Sequence, residues 1–390
     1  MRVIRLRIGV FGGTFNPPHI GHVASAKTAA QQLGLDLLIV VPSGTPPHKE
    51  MPQASPSAEM RVQMTRHAFA EIENAVISDI EATKNAPSYT IDTIKTLKKE
   101  YPGAEMYLLV GDDMYLTLDT WKDSETLLKN ATPAVFSREN GRDKEISDYS
   151  QHLMEQFGTR TEIIQNSAID ISSSKLREIL PLRGGIDYLP EICYTYIIKH
   201  RLYGAKPDWN WLRDRAYSML DPSRVPHVAG CEQEAIRLAE RWGVDIDDAR
   251  EAAILHDITK KLDAEEHIRL LVENDIPSTM PPKNEEKLLH SKTGALLART
   301  EFGVSEAVAD AIMWHTTGRV KMTTLDKVIY LTDYIEPSRD IDGIDALRAL
   351  AYENLDDAMR MGLEMSVRDM ESRGIIPNRT TFDALNDLTL

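Results

Sequence analysis

Residues 12–22, reading GGTFNPPHIGH, constrain this chain more than any other segment. The short apolar, β-branched run 8–11 meets two glycines there, and apolar residues at helical spacing resume after His19 with Ala24, Ala26, Ala29, Ala30 and Leu33. That pattern is a strand passing through a Gly-rich turn into a helix. Further strands are predicted at 37–41 and 106–110, the second ending at Gly111-Asp112. Strands alternating with helices at this spacing predict a parallel sheet covered on both faces, a doubly wound α/β fold whose ligands lie at the carboxyl ends of the strands.

The pattern changes beyond Ala205-Lys206-Pro207, which follows a predicted last helix at 190–202 and reads as a linker. From there the apolar spacing is helical nearly throughout, as in Ala235, Leu238, Ala239 and Trp242, then Ala252, Ile254, Leu255 and Ile258. No strand pattern stands out, so the second half is expected to be all-α. The 390 residues suit two domains, 1–204 and 208–390, at about 100–200 residues each.

Charge is uneven. Residues 1–205 carry 22 Lys and Arg against 25 Asp and Glu, which leaves −12 of the net −15 for the remainder. An acidic surface repels nucleic acid and anionic membrane, so neither is an expected partner. If the acidic half handles phosphates, bound cations must supply the attraction. Cys193 and Cys231 follow no metal-binding spacing and are read as buried thiols of a reducing cytoplasm. The N-terminal apolar run ends too early for a signal peptide, and no stretch approaches the roughly 20 apolar residues of a membrane span. A cytoplasmic location is expected, and homo-oligomerisation is left open.

The chemistry of the first half follows from its turn. Gly12 and Gly13, with Thr14 and Phe15, let the backbone approach phosphate oxygens, and the helix after His19 turns its unpaired N–H groups to the same place. His19 and His22, three residues apart on the first turn, face one side and can donate to triphosphate oxygens. Far downstream, Ile171, Ser172, Ser173 and Ser174 open another helix, with Lys175 and Arg177 adding positive charge.

Residues 1–204 resemble bacterial nicotinate-nucleotide adenylyltransferases, of the Rossmann-like nucleotidyltransferase superfamily with the T/H-x-G-H signature. The resemblance implies that His19, His22, Ser173 and Arg177 hold ATP phosphates. Gly12, Gly13, Thr14, Phe15, Gly111, Asp112, Ile171 and Ser172 complete the ATP side. The pyridine nucleotide falls to His48 and Lys49 in the Pro-Pro-His-Lys loop, to Tyr89 and Thr90, and to Trp121. Lys122 stands where the family often has His. The implied reaction joins nicotinate mononucleotide to the α-phosphorus of ATP, with Mg²⁺ carried by ATP, and releases pyrophosphate. Such a transfer needs alignment and charge neutralisation, not a covalent nucleophile.

In the second half His227, the pair His256-Asp257, His290, His315 and Asp333 are donors on separate predicted helices, expected to converge inside a bundle. Imidazole and carboxylate suit first-row metals, and six such ligands are enough for two ions. The ordered series resembles the HD superfamily of phosphohydrolases, in particular the bacterial symmetrical bis(5′-nucleosyl)-tetraphosphatases, over residues 211–386. The resemblance implies a dinuclear Fe or Mn centre that cuts diadenosine tetraphosphate into two ADP, with Asp257 and Lys260 in the catalytic set. Lys260, Thr316 and Arg319 are the expected phosphate contacts. Another nucleotide phosphohydrolase, or a metal-binding regulatory module, is the alternative for this half.

Overall fold

The computed structural model describes residues 5–44, 51–52, 54–84, 87–137, 142–166, 169–283 and 285–388. The chain divides into two compact units, Met1–Lys206 and Pro207–Leu390.

The first unit is built on a six-stranded, all-parallel sheet: β1 (Arg7–Gly13), β2 (Leu37–Pro42), β3 (Ala75–Ile77), β4 (Glu105–Gly111), β5 (Thr132–Ser137) and β6 (Glu162–Gln165). Their spatial order, β3-β2-β1-β4-β5-β6, reverses direction between β1 and β4. A crevice therefore opens at the carboxyl ends of these two central strands, the position where doubly wound sheets bind ligands. β1 runs two residues further than its apolar run predicts, because Gly12 and Gly13 still pair with Val41 and Pro42 of β2. Helices bury the β-branched faces of the sheet. Ile91, Ile94 and Leu97 of Thr90–Glu100 pack with Ile8, Val10, Ile39, Leu108 and Val135 in one core, with Trp121 and Tyr89 partly buried against it.

The second unit is helical, with no strand among its described residues. Its helices begin where side-chain oxygens can cap free N–H groups. Asp208, Asp245, Ser305, Asn354 and Asn378 each cap one, and Asp263 with Glu266 and Thr323 with Asp326 form reciprocal capping boxes. Gly243 and Gly303 end two others at φ 70° and 61°, a left-handed turn that costs glycine no Cβ clash. Helices Val225–Trp242, Ile246–Leu255, Glu306–Trp314 and Thr324–Ile335 pack together, and Leu289–Phe302 packs on Glu306–Trp314. Among the described residues no helix is long and apolar enough to cross a membrane.

Candidate functional site

In the first unit, the turn after β1 is held by long-range bonds. The Ser173 hydroxyl donates to the Pro17 carbonyl at 2.8 Å, and the Arg177 guanidinium donates to the Asn16 carbonyl at 2.6 Å and to the Ser174 hydroxyl at 3.0 Å. Two segments about 160 residues apart in sequence thus form one wall, and Ser172 caps its own helix through the Lys175 N–H. Phe15 is buried and sits at φ 46°, a strained conformation for a non-glycine residue. Asn16, joined to Pro17 by a cis peptide bond, is 2% exposed and accepts from the Tyr203 hydroxyl at 2.8 Å.

The two histidine rings lie against each other at the start of helix Ile20–Leu33, their centroids 3.8 Å apart and their planes tilted by 38°. The His19 N–H donates to His22 Nδ1 at 3.2 Å, so a neutral His22 ring carries its proton on Nε2 as a donor. Space between them is tight. A Cβ on Gly21 would lie 3.0 Å from the His19 ring and 3.7 Å from Ile171. Gly12 has nothing within 4 Å of where a Cβ would stand, so its backbone lies open.

Arg61, which sequence reasoning missed, braces this end of the sheet. It is 2% exposed, and its guanidinium donates to the carbonyls of Thr14, Ser43 and Gly44 at 2.8, 2.6 and 2.8 Å. At the end of β4, Gly111 precedes a buried Asp112, whose carboxylate lies 3.8 Å from Arg142. Of the residues expected on the pyridine side, Tyr89 precedes helix Thr90–Glu100 and carries the Lys122 ammonium over its ring at 3.8 Å. Trp121 donates to the Thr117 hydroxyl at 3.3 Å. His48 and Lys49 lie outside the described residues.

In the second unit all six expected donors come together. His227 Nε2 lies 3.0 Å from Asp333, and His256 Nε2 lies 3.5 Å from Asp257 and 4.0 Å from Asp333. His290 and His315 approach the other Asp257 oxygen at 3.3 and 3.8 Å. The orientation of these rings has a clear cause. Nδ1 of His256 bonds the Ala253 carbonyl at 2.8 Å, Nδ1 of His315 bonds the Ile312 carbonyl at 2.7 Å, and Nδ1 of His290 bonds the Lys287 carbonyl. His227 Nδ1 faces the Glu336 carboxylate at 3.1 Å. With Nδ1 committed as donor, Nε2 offers the lone pair a metal takes.

Electrostatics agree with that role. Burial pushes the His256 imidazole down, and burial with His256 and His290 as neighbours pushes His315 down to about 3. Burial alone would raise Asp257, but His256, His290 and Lys260 hold its carboxyl well below the usual range. The Asp333 carboxyl is lowered against its own burial by His227, His256 and His315. Neutral His256 and His315 imidazoles beside ionised Asp257 and Asp333 carboxylates are the protonation states that metal binding requires. His256 Nε2 and Asp257 Oδ1 are buried without a hydrogen bond, which a bound cation would resolve. Two overlapping groups, His227-Cys231-His256-Asp333 and His256-Asp257-His315, have donors close enough to hold a divalent metal.

Lys260 belongs to this cluster, 2.9 Å from His290 and 3.4 Å from Asp257. Arg319 has other commitments: its guanidinium pairs with Asp310 at 2.9 Å and Asp326 at 2.8 Å. Thr316 follows His315 and reaches the Ser291 hydroxyl at 3.5 Å. Sequence reasoning missed Arg224, which bonds Asp257 through Nε at 3.1 Å, and Glu336. Gly230 leaves room for Glu336, since a Cβ there would stand 2.6 Å from its carboxylate.

Comparison with known proteins follows the same division. Residues 10–179 match the cytidylyltransferase-like family and residues 224–338 match the HD domain. A Neisseria gonorrhoeae protein named "Probable nicotinate-nucleotide adenylyltransferase" is 33% identical over 201 residues, covering 50% of this chain and 98% of that protein. A Mycoplasma pneumoniae protein named "Probable nicotinate-nucleotide adenylyltransferase/Ap4A hydrolase" is 28% identical over 365 residues, 91% of this chain and 97% of its own length. Among solved structures, a "predicted HD superfamily hydrolase involved in NAD metabolism" from Clostridium acetobutylicum is 33% identical, covering 46% of this chain and 96% of that one, with a TM-score of 0.44. Through its first unit the chain belongs to the nicotinate-nucleotide adenylyltransferase family, and its second unit carries an HD domain.

Proposed function

We propose that the chain is a bifunctional enzyme. Its first domain, 1–204, transfers AMP from ATP to nicotinate mononucleotide, giving nicotinate adenine dinucleotide and pyrophosphate. Its second, 208–390, hydrolyses diadenosine tetraphosphate symmetrically to two ADP. The observation that carries the pairing is the collinear match of nearly the whole chain to the Mycoplasma protein whose name joins these two activities.

In the first domain, His22 Nε2–H, His19, Ser173 and Arg177 line the turn after β1 and hold the triphosphate, with Mg²⁺ arriving on ATP. The mononucleotide's phosphate oxygen forms a bond to the α-phosphorus as the α–β bridging bond breaks, and the electron pair leaves on pyrophosphate. The attacking phosphate is already ionised, so no general base is needed. The protein's contribution is alignment and positive charge where the leaving group becomes more negative.

In the second domain His227, His256, Asp257, His290, His315 and Asp333 would hold two ions, and iron or manganese suits imidazole and carboxylate donors. Bound there, such ions supply charge that polarises phosphate oxygens and makes water acidic near neutral pH. Lys260 adds a positive group beside His290 for the departing phosphate. Buried Nδ1 bonds keep the rings from swinging when substrate charge enters.

The test is product analysis of the purified chain. ATP with nicotinate mononucleotide is expected to yield the dinucleotide and pyrophosphate, and diadenosine tetraphosphate to yield ADP alone. AMP plus ATP would refute symmetrical cleavage. After chelation, Mg²⁺ alone is expected to restore transfer fully and hydrolysis only in part. Absence of any metal-dependent turnover by residues 207–390 would favour a regulatory module.

A further inference from the structure

Cys231 stands inside the metal cluster without a part in the mechanism above. It lies one helical turn after His227 on helix Val225–Trp242, so both side chains project from one face. The thiol is 0% exposed, and its sulfur is 3.6 Å from His227 Nε2 and 3.9 Å from the Thr332 carbonyl. Its sulfur and the donor atoms of His227, His256 and Asp333 all lie within 4.8 Å of one another. A second observation points to a ligand at this spot. His256 Nε2, buried and turned into the group by the Nδ1 bond to Ala253, makes no hydrogen bond.

We propose that Cys231 is a thiolate ligand of the metal centre, sharing one metal position with His227, His256 and Asp333. This rests on the metal-centre reading of the second domain and refines it. The spacing fits. Tetrahedral coordination with metal–sulfur near 2.3 Å and metal–nitrogen near 2.0–2.1 Å separates the two donor atoms by about 3.6 Å. A sulfur ligand changes what the position accepts: thiolate selects borderline and soft ions such as Zn²⁺ and Fe²⁺ over Mg²⁺. On binding, the S–H proton passes to solvent and the sulfur pair forms the metal bond.

The experiment uses the full chain, stripped of metal and titrated with Co²⁺ while the near-ultraviolet spectrum and bound cobalt are recorded. Wild type is expected to develop a thiolate-to-cobalt charge-transfer band, and Cys231→Ser and Cys231→Ala to bind cobalt without it. The chain has two cysteines, so a band that survives in both variants would come from Cys193 and overturn the assignment. Cobalt bound by wild type with no band would refute the thiolate ligand and leave the metal centre standing, since a thiol merely hydrogen-bonded to His227 gives none. No cobalt bound by wild type would overturn the metal-centre reading and this inference with it. Zn²⁺ affinity is expected to fall about tenfold or more in Cys231→Ser, with Mg²⁺ affinity little changed.

Discussion

Arg61→Met is the sharpest test of how the first domain holds its nucleotide turn. The substitution keeps the aliphatic stem and removes three bonds, to Thr14 O, Ser43 O and Gly44 O. Hydrogen bonds from a charged donor are worth about 1.5–3 kcal/mol each, so a simple sum exceeds 4 kcal/mol. Against this stands the cost of burying the guanidinium, which lowers the Arg61 pKa and leaves its Nε without a partner. Removing the guanidinium leaves three carbonyls without their donor, at about 1–3 kcal/mol for each unsatisfied group, and after relief of the desolvation cost a net loss of about 3–5 kcal/mol is expected. At about 2–4 °C per kcal/mol for a domain of this size, adenylyl transfer should be lost some 6–20 °C earlier on heating. Tetraphosphate cleavage in the same sample serves as the reference and should not move. Arg61→Lys, with one ammonium for three carbonyls, should fall between the two and raise the KM for ATP, because the ends of β1 and β2 are no longer tied. An unchanged inactivation temperature and an unchanged KM in Arg61→Met would refute the bracing role.

Three further outcomes are expected. His22→Ala should lower adenylyl transfer by roughly a hundredfold or more, the scale for a lost donor to developing charge, while the KM for nicotinate mononucleotide changes little; a normal rate in the folded variant would remove His22 from the mechanism. Asp257→Ala should abolish tetraphosphate cleavage and lower metal content per chain while transfer persists, because Arg224, Lys260 and three imidazoles lose their shared carboxylate; full hydrolysis by the metal-depleted variant would refute a metal-centred reaction. Metal-free protein should lose stability in its second domain as pH falls below about 6.5, since His256 and His315 have folded pKa values below the unfolded one and the unfolded chain takes up protons first. His315, pushed down to about 3, contributes roughly 1 kcal/mol per pH unit in that window and His256 adds in the same direction, so a second-domain Tm that is flat from pH 7 to 5 would contradict the buried neutral histidines.

The parallel α/β class with strands β1, β2 and β4, the helical second half and the six donors were legible because each is written in residue identity: β-branched runs, 3.6-residue spacing, and histidines beside aspartates; β3, β5 and β6 were not. What could not be read is what backbone atoms do. Arg61 lies in helix Ala58–Ala68, where an arginine reads as solvent-facing, and its partners are three carbonyls that no side chain announces. Glu336 and Cys231 did leave a trace, at three residues from Asp333 and four from His227. On helix Val225–Trp242 that spacing puts Cys231 on the face of His227, whereas Glu336 is the residue that caps the end of helix Thr324–Ile335. The Nδ1 bonds show why the donors could be found while their orientation could not. His256 and His315 each stand at the C-terminal end of a helix and donate to a carbonyl three residues back, in the last turn, where helix acceptors run out of backbone donors. One bond therefore satisfies the helix end and fixes which ring nitrogen faces Asp257. Moving either histidine a single residue along its helix would keep the composition of the motif and lose both effects.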